Sequence, residues 1–291
     1  MEETNLFNNL EKTDVTVLPK DEEEYSIDFN LTEKSSTNDI LDYVLNYLIY
    51  NINKNEVAFK GGYLLSKILP SSSRKTMDID FSISVKEYYN NVKLIMDNLG
   101  KILYNNNIIS EYNIKDSIEE TQSGGITFYL QTGEKMGIDV GLHPLNYGIR
   151  KWNIEGKEVN GFEIERMLAD KFSAIYSRKR FRRSKDLYDF YIITDSFDVD
   201  LEKLNNYISK RCELDINNSP LQEIILVEYK KAYDKLKVEF NNITGFTKPE
   251  FNKIIERLQL FEIYLINKTS GRWSHELKII QNIWYRNKEK I

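Results

Sequence analysis

From Asn38 to Ile52 the apolar residues Ile40, Leu41, Val44, Leu45, Leu48, Ile49 and Ile52 return at helical spacing, which predicts an amphipathic helix. A short apolar run, Val57 to Phe59, leads into the pair Gly61-Gly62 and then Tyr63, Leu64, Leu65, Ser66 and Ile68, which reads as strand, tight turn and short helix. After Pro70 and a serine-rich loop the period changes to two. Met77, Ile79, Phe81 and Ile83 share one strand face, while Asp78, Asp80, Ser82 and Ser84 share the other. Helical spacing returns from Val85 to Leu99, with Tyr89, Val92, Ile95, Met96 and Leu99 on one side, and Asn105 to Asn107 mark the turn that follows. Ile126, Phe128 and Leu130 then alternate with polar residues, as do Met136, Ile138, Val140 and Leu142 after the Gly133 turn, and this predicts a hairpin.

Beyond Gly161 the pattern reads as helical to the end. A first stripe carries Ile164, Met167, Leu168, Phe172 and Ile175. Thr247 to Glu250 has the form of a capping box opening a helix with Phe251, Ile254, Ile255, Leu258, Phe261 and Leu265 on its core side. The expected organisation is an N-terminal arm over 1–37, a strand-and-helix core over 38–155 and a helical C-terminal domain over 156–291. The arm holds the acidic run Asp21 to Glu24 and little periodicity, so it is either loosely packed or faces a partner. The fold class expected is α+β, a mixed sheet flanked by helices with a helical domain after it.

Composition narrows the setting. A hydrophobic share of 41% beside 29% charged residues is that of a globular chain. The formal net charge of −5 argues against general nucleic-acid coating and leaves room for a local basic patch. The single cysteine, Cys212, excludes an intramolecular disulfide and fits a reducing compartment, where packing is its expected role. With two histidines, His143 and His275, a structural zinc site is not expected, and a serine triad on His143 lacks its nucleophile elbow. Neither a signal segment nor an apolar run near the roughly 20 residues of a membrane span is visible, so a cytoplasmic protein is expected.

The candidate chemistry lies around Lys60 to Phe81. Glycines at a strand-to-helix turn let the backbone approach a ligand, and the amides at a helix start suit a phosphate. Asp78 and Asp80, at i and i+2 on one strand face, stand roughly 7 Å apart at the backbone. At about 4 Å between charges and an effective dielectric near 20 their repulsion would be on the order of 4 kcal/mol, which a hard cation such as magnesium would relieve. The alternative is an edge strand with a solvated acidic face. Asp139 lies between Gly137 and Gly141 on its own face, with room beside its carboxylate to join the acidic pair or to face solvent. Lys171 sits on the apolar stripe and must either snorkel outward or meet an anion. Arg178, Lys179, Arg180, Arg182, Arg183 and Lys185 form an abrupt basic run, read either as a solvated loop or as a surface for an anionic partner. Asp186 and Asp189 follow, one helical turn apart.

Four blocks in this order resemble the AbiEii-type nucleotidyltransferase toxins of the DNA polymerase beta-like superfamily: Lys60 to Ser66, Ser73 to Phe81, Gly137 to Val140, and the pair Glu165 to Lys171 with Ser184 to Asp189. The resemblance implies a nucleotidyltransferase core and a toxin of a toxin-antitoxin system linked to abortive phage infection, paired with a separately encoded AbiEi-type antitoxin. It also implies transfer of NMP from an NTP to an acceptor, with the tRNA 3′ end first among acceptors, and a consequent block of translation. By motif match Gly61, Gly62, Ser66 and Thr76 belong to the nucleotide site, and Asp78 and Asp80 to a Mg2+ site that Asp139 joins as third carboxylate. Lys171 is then catalytic or phosphate-contacting, and Asp186 is the acid of the last motif. Arg178, Arg180, Arg182 and Arg183 are the expected RNA contacts, and a monomer is expected. Other readings of the same residues are an NTP-binding regulator without turnover and nucleotidylation of a protein or a small molecule.

Overall fold

The computed structural model describes residues 28–175, 183–211, 233–243, 248–267 and 270–281. The first helix, α1 (Thr37–Asn51), opens on a capping box in which the Ser36 hydroxyl accepts from the Asp39 amide and the Asp39 carboxylate accepts from the Ser36 amide. Its apolar stripe, with Val44 and Leu48 fully buried, faces inward as the periodicity predicts. The strand-turn-helix unit follows as β1 (Val57–Lys60) and α2 (Gly61–Ile68), and the alternating segment as β2 (Asp78–Ile83). The next helix, α3 (Tyr88–Asn105), starts later and ends later than its stripe suggested, and Asn107 takes a positive φ in the turn after it.

The remaining elements of this part are β3 (Ile109–Lys115), the short α4 (Ile118–Thr121), β4 (Ser123–Leu130), β5 (Lys135–Leu142), β6 (Ile149–Ile154) and β7 (Lys157–Phe162). The predicted hairpin is β4 with β5, paired antiparallel. Seven strands form one mixed sheet in the order β3-β4-β5-β2-β1-β7-β6. Here the structure corrects the expectation that strands stop near residue 155. β6 and β7 close a second hairpin through Glu155 and Gly156, both at positive φ, and β7 runs to Phe162 and pairs parallel with β1.

The helical part holds α5 (Ile164–Ile175), α6 (Ser184–Ser196), a two-residue strand β8 (Val199–Asp200), α7 (Leu201–Arg211), α8 over 233–242 and α9 (Phe251–Ile266). It is not helical throughout: β8, β9 (Arg272–Ser274) and β10 (Ile279–Gln281) form a small antiparallel sheet, and Trp273 in β9 is buried and donates to the Thr194 carbonyl. α9 opens at Phe251 from Glu250 without a side-chain cap, and Thr247 lies outside the described residues. So do the acidic run at 21–24 and Cys212. The result is an α+β fold, a mixed sheet flanked by helices and followed by a mainly helical region. Among the described residues no helix is long and apolar enough to cross a membrane.

Candidate active site

Three adjacent strands deliver one row of charge. Lys60 is paired with Asp80 across β1 and β2, and Asp80 with Asp139 across β2 and β5, so all three side chains leave the same face of the sheet. One step along, Asp78 is paired with Gly137, whose missing side chain leaves the Asp78 Oδ1 only 3.0 Å from the point where a Cβ would stand. Burial pushes the Asp80 carboxyl up to about 6, and Asp139 and Asp78 push the same way, against the pull of Lys60 and Lys171. Asp78 is more open, yet partial desolvation and then Asp139 raise it too. The acids do crowd one another in the fold, with Asp139 contributing more than the i, i+2 partner.

Helices α5 and α6 answer the question posed by Lys171. It does not snorkel: it is 9% exposed and donates to Asp189 at 2.7 Å and to Asp186 at 3.1 Å, one turn apart on α6. Asp189, 1% exposed, also accepts two bonds from Arg74, Nε at 2.9 Å and Nη2 at 3.0 Å. Burial alone would raise the Asp189 pKa, but Lys171 and Arg74 outweigh it and hold it below the usual carboxylate range. Burial alone would lower the Lys171 pKa, and Asp189 and Asp186 hold it above the usual lysine value. The loop carrying Arg74 is pinned once more, by the Tyr188 hydroxyl donating to the Ser72 carbonyl.

These two groups of residues meet at one cavity of about 460 Å3 between the start of α2, the Asp80 carboxylate and the facing sides of α5 and α6. Its described lining brings five cations, Lys60, Arg74, Lys171, Arg183 and Lys185, against three carboxylates, Asp80, Asp170 and Asp186. Cations clustered in this way, in a chain of net charge −5, offer donors to a polyphosphate, while Asp189 behind Lys171 and Arg74 holds two of them in place.

Residues 44–261 match the sequence profile of the nucleotidyl transferase AbiEii toxin family of type IV toxin-antitoxin systems. The chain belongs to that family. No match is found among curated proteins. Among solved structures, the fold is similar to that of MenT4, a nucleotidyltransferase toxin from Mycobacterium tuberculosis, with a TM-score of 0.51 at 16% identity over 79% of this chain and 84% of that one. The antibiotic-resistance factor ANT(2'')-Ia aligns with a TM-score of 0.39 at 12% identity, over 67% of this chain and 96% of that one. An antigenic nucleotidyltransferase-like protein from Paracoccidioides brasiliensis aligns with a TM-score of 0.36 at 20% identity, over 71% of this chain and 94% of that one. As an AbiEii toxin the chain is a nucleotidyltransferase that takes an NTP and has a cognate antitoxin.

Within this AbiEii toxin, Gly61, Gly62, Asp80, Lys171, Asp186 and Arg183 all line the cavity, and Asp78 and Asp139 flank it through their register with Asp80 and Gly137. Ser66 and Thr76 are placed elsewhere. Both border a neighbouring hollow on the other side of α2, where the Ser66 hydroxyl donates to the Tyr63 carbonyl at 2.7 Å, as a helix-interior serine does when it bonds back along its own helix. Arg178, Arg180 and Arg182 lie outside the described residues, and Arg183 stands 3.5 Å from Asp186. Periodicity gave no sign of Arg74, which sits in an irregular loop, nor of Lys60, the last residue of its strand.

The acids fit a hard divalent cation. The donor set is oxygen only, two of its members are raised by burial and then by the neighbouring Asp139, and the glycine beneath Asp78 keeps the face open. Among the described residues no group of three or more His, Cys, Asp or Glu side chains is gathered closely enough to hold a metal ion.

Gly61 is required twice over. Its φ is +72°, and an added Cβ would stand 2.2 Å from the Asp80 Oδ2. Gly61→Ala is therefore expected to displace the Asp80 carboxylate, lowering stability by about 1–3 kcal/mol and abolishing transfer. Urea denaturation together with a transfer assay checks this, and a variant with wild-type midpoint and rate would refute the packing of Asp80 against the turn.

Proposed function

We propose that this toxin transfers NMP from an NTP to the 3′ end of tRNA and thereby blocks translation. The observation that carries the reading is the cavity in which the Asp80 carboxylate meets the glycine turn and the cations Lys171 and Arg74. Asp78 and Asp80, joined by Asp139, would hold the divalent cation, expected to be Mg2+; when bound it supplies charge neutralisation at the displaced pyrophosphate and activation of the attacking hydroxyl. The chain's own residues do the positioning. Amides at the start of α2 face the phosphates, and Lys171 and Arg74, fixed by Asp189, present preorganised positive charge to them. The acceptor hydroxyl gives up its proton to water, its oxygen bonds to the α-phosphorus, the α–β bridging bond breaks, and pyrophosphate leaves with the electron pair. Preorganisation of this kind, more than a strong nucleophile, is what phosphoryl and nucleotidyl transfer require.

The test is incubation with each radiolabelled NTP, magnesium and total tRNA, followed by separation of RNA, protein and small molecules. Label in tRNA is the expected result. Label in protein or in neither fraction would overturn the acceptor assignment. The basic run supports an RNA acceptor, so replacing Arg178, Arg180 and Arg182 together is expected to weaken RNA binding for all sequences and to flatten its salt dependence, by roughly 0.7 in slope for each phosphate no longer neutralised. Parallel salt slopes for wild type and the triple variant would mean that this run touches no phosphate.

A further inference from the structure

Lys60 has a more particular setting than its place at the end of a strand requires. Its Cα is registered with Asp80, so its side chain starts on the acidic face, and it lines the same cavity as Gly61, Gly62, Arg74 and Lys171. From there the ammonium leans across β2 toward β5. It comes within 3.5 Å of His143 Nδ1, just beyond the end of β5, and 5.8 Å above the centre of the Phe162 ring.

An ammonium offers only hydrogens, so a hydrogen bond at this contact needs an Nδ1 that carries no proton. The ring is held in turn by Ser82, fully buried in β2, whose Oγ lies 2.9 Å from the same Nδ1. Gly141 makes room for both groups. A Cβ there would stand 2.5 Å from the His143 ring and 3.1 Å from the Lys60 Nζ. An imidazole, a buried hydroxyl and an absent side chain thus form a rest for the ammonium of the residue directly before the turn into α2, on the strand next to Asp80's own.

We propose that Lys60 is a further donor-binding residue of the transfer reaction, contacting the phosphates that leave as pyrophosphate, and that His143 is the positioning residue that keeps its ammonium at the cleft. The chemistry gives the reason. When the α–β bond breaks, negative charge grows on the leaving pyrophosphate, and an ammonium carried by the residue directly before the glycine turn, on the face that holds Asp80, is placed to meet that charge. Arg74 and Lys171 reach the cavity from the side of α6 and Lys60 reaches it from the sheet, so the three cations converge from different directions.

This inference rests on the nucleotidyltransferase reading, and the experiment separates the two. Binding of a non-hydrolysable NTP analogue and of the matching NMP is measured by calorimetry in wild type, Lys60→Met, Lys60→Arg, His143→Ala and the Lys60→Met/His143→Ala double variant, with the thermal midpoint of each. Lys60→Met is expected to weaken the triphosphate about ten- to hundredfold, as removal of a charge-assisted hydrogen bond does, while changing NMP affinity less than about threefold. Lys60→Arg is expected to recover most of the loss. His143→Ala is expected to lose less than Lys60→Met and to add nothing to it in the double variant.

Equal loss of triphosphate and monophosphate affinity, or full triphosphate affinity in Lys60→Met, would overturn the Lys60 assignment. Additive losses in the double variant would overturn the part given to His143. If wild type itself bound NTP no better than NMP, the donor-site reading would fail first. If Lys60→Met does not fold, Lys60→Arg and His143→Ala carry the test, since wild-type triphosphate binding in His143→Ala, or no triphosphate selectivity in Lys60→Arg, refutes the arrangement.

Discussion

Asp80→Asn is expected to abolish transfer while making the metal-free protein more stable. The two effects have one cause. Asp80 is a half-buried carboxylate registered beside Asp139, and its folded pKa of about 6 stands above its ordinary 3.8. Below about pH 4 the group is protonated in both folded and unfolded chains and costs nothing. As pH rises toward 6 the unfolded chain gives up the proton first, so the stability this group contributes at low pH is lost as pH rises through the folded value. Above that the cost is constant, about 3 kcal/mol for a shift of this size. Asparagine keeps the volume and removes the charge. Denaturation in a chelator should therefore show the variant gaining stability between pH 4 and 6 and holding the gain to pH 8, while its transfer rate falls by about a thousandfold or more, or ~4 kcal/mol. A variant of unchanged stability at pH 7.5 would mean that Asp80 is not crowded, and an active one that it holds no reacting group.

Lys171→Met is expected to cost both activity and stability. Methionine suits a helix interior, so α5 itself should persist. What changes is the cluster behind it, where Asp189 would keep Arg74 and lose its lysine, and Asp186 would keep Arg183 at 3.5 Å. Removing one partner from a buried charge cluster typically costs 3–5 kcal/mol, and the surviving two-pronged Arg74 contact puts the expectation near the lower end, about 3 kcal/mol. Transfer is expected to fall at least tenfold, or ~1.4 kcal/mol in the barrier, at temperatures where the variant is folded. Urea titration and single-turnover rates measure the two separately. Wild-type values for both would mean that neither transfer nor the buried cluster depends on Lys171.

Much of this site was legible because its parts break a pattern. Asp78, Asp80 and Asp139 declared themselves by a period of two, and Lys171 by being a cation on an apolar stripe. The misfit named the residue but not its partners, since Asp189 and Arg74 meet only through packing of α6 against an irregular loop. Lys60 and Arg74 carried no periodic signal at all. The second hairpin was missed for a related reason. β6 is largely exposed, so its residues lack clean alternation, and its sign was the Glu155-Gly156 pair, whose positive φ angles form a two-residue turn. The small sheet of β8, β9 and β10 has strands of two or three residues, too short for any period to show.

The parallel pairing of β2 with β5 has a bearing on how this toxin comes into being. Between those strands the chain makes α3, β3, α4 and β4, all before Asp139 can be set beside Asp80. Lys171 and then Asp186 and Asp189 arrive later still, and Arg74 waits on the last of these for its fixed place. A nascent chain that has emerged only through β2 carries its acidic pair and glycine turn with nothing to organise them. Because the cluster draws on segments distant in sequence, Arg74 and Lys171 do not have their partners until α6 is synthesised and docked.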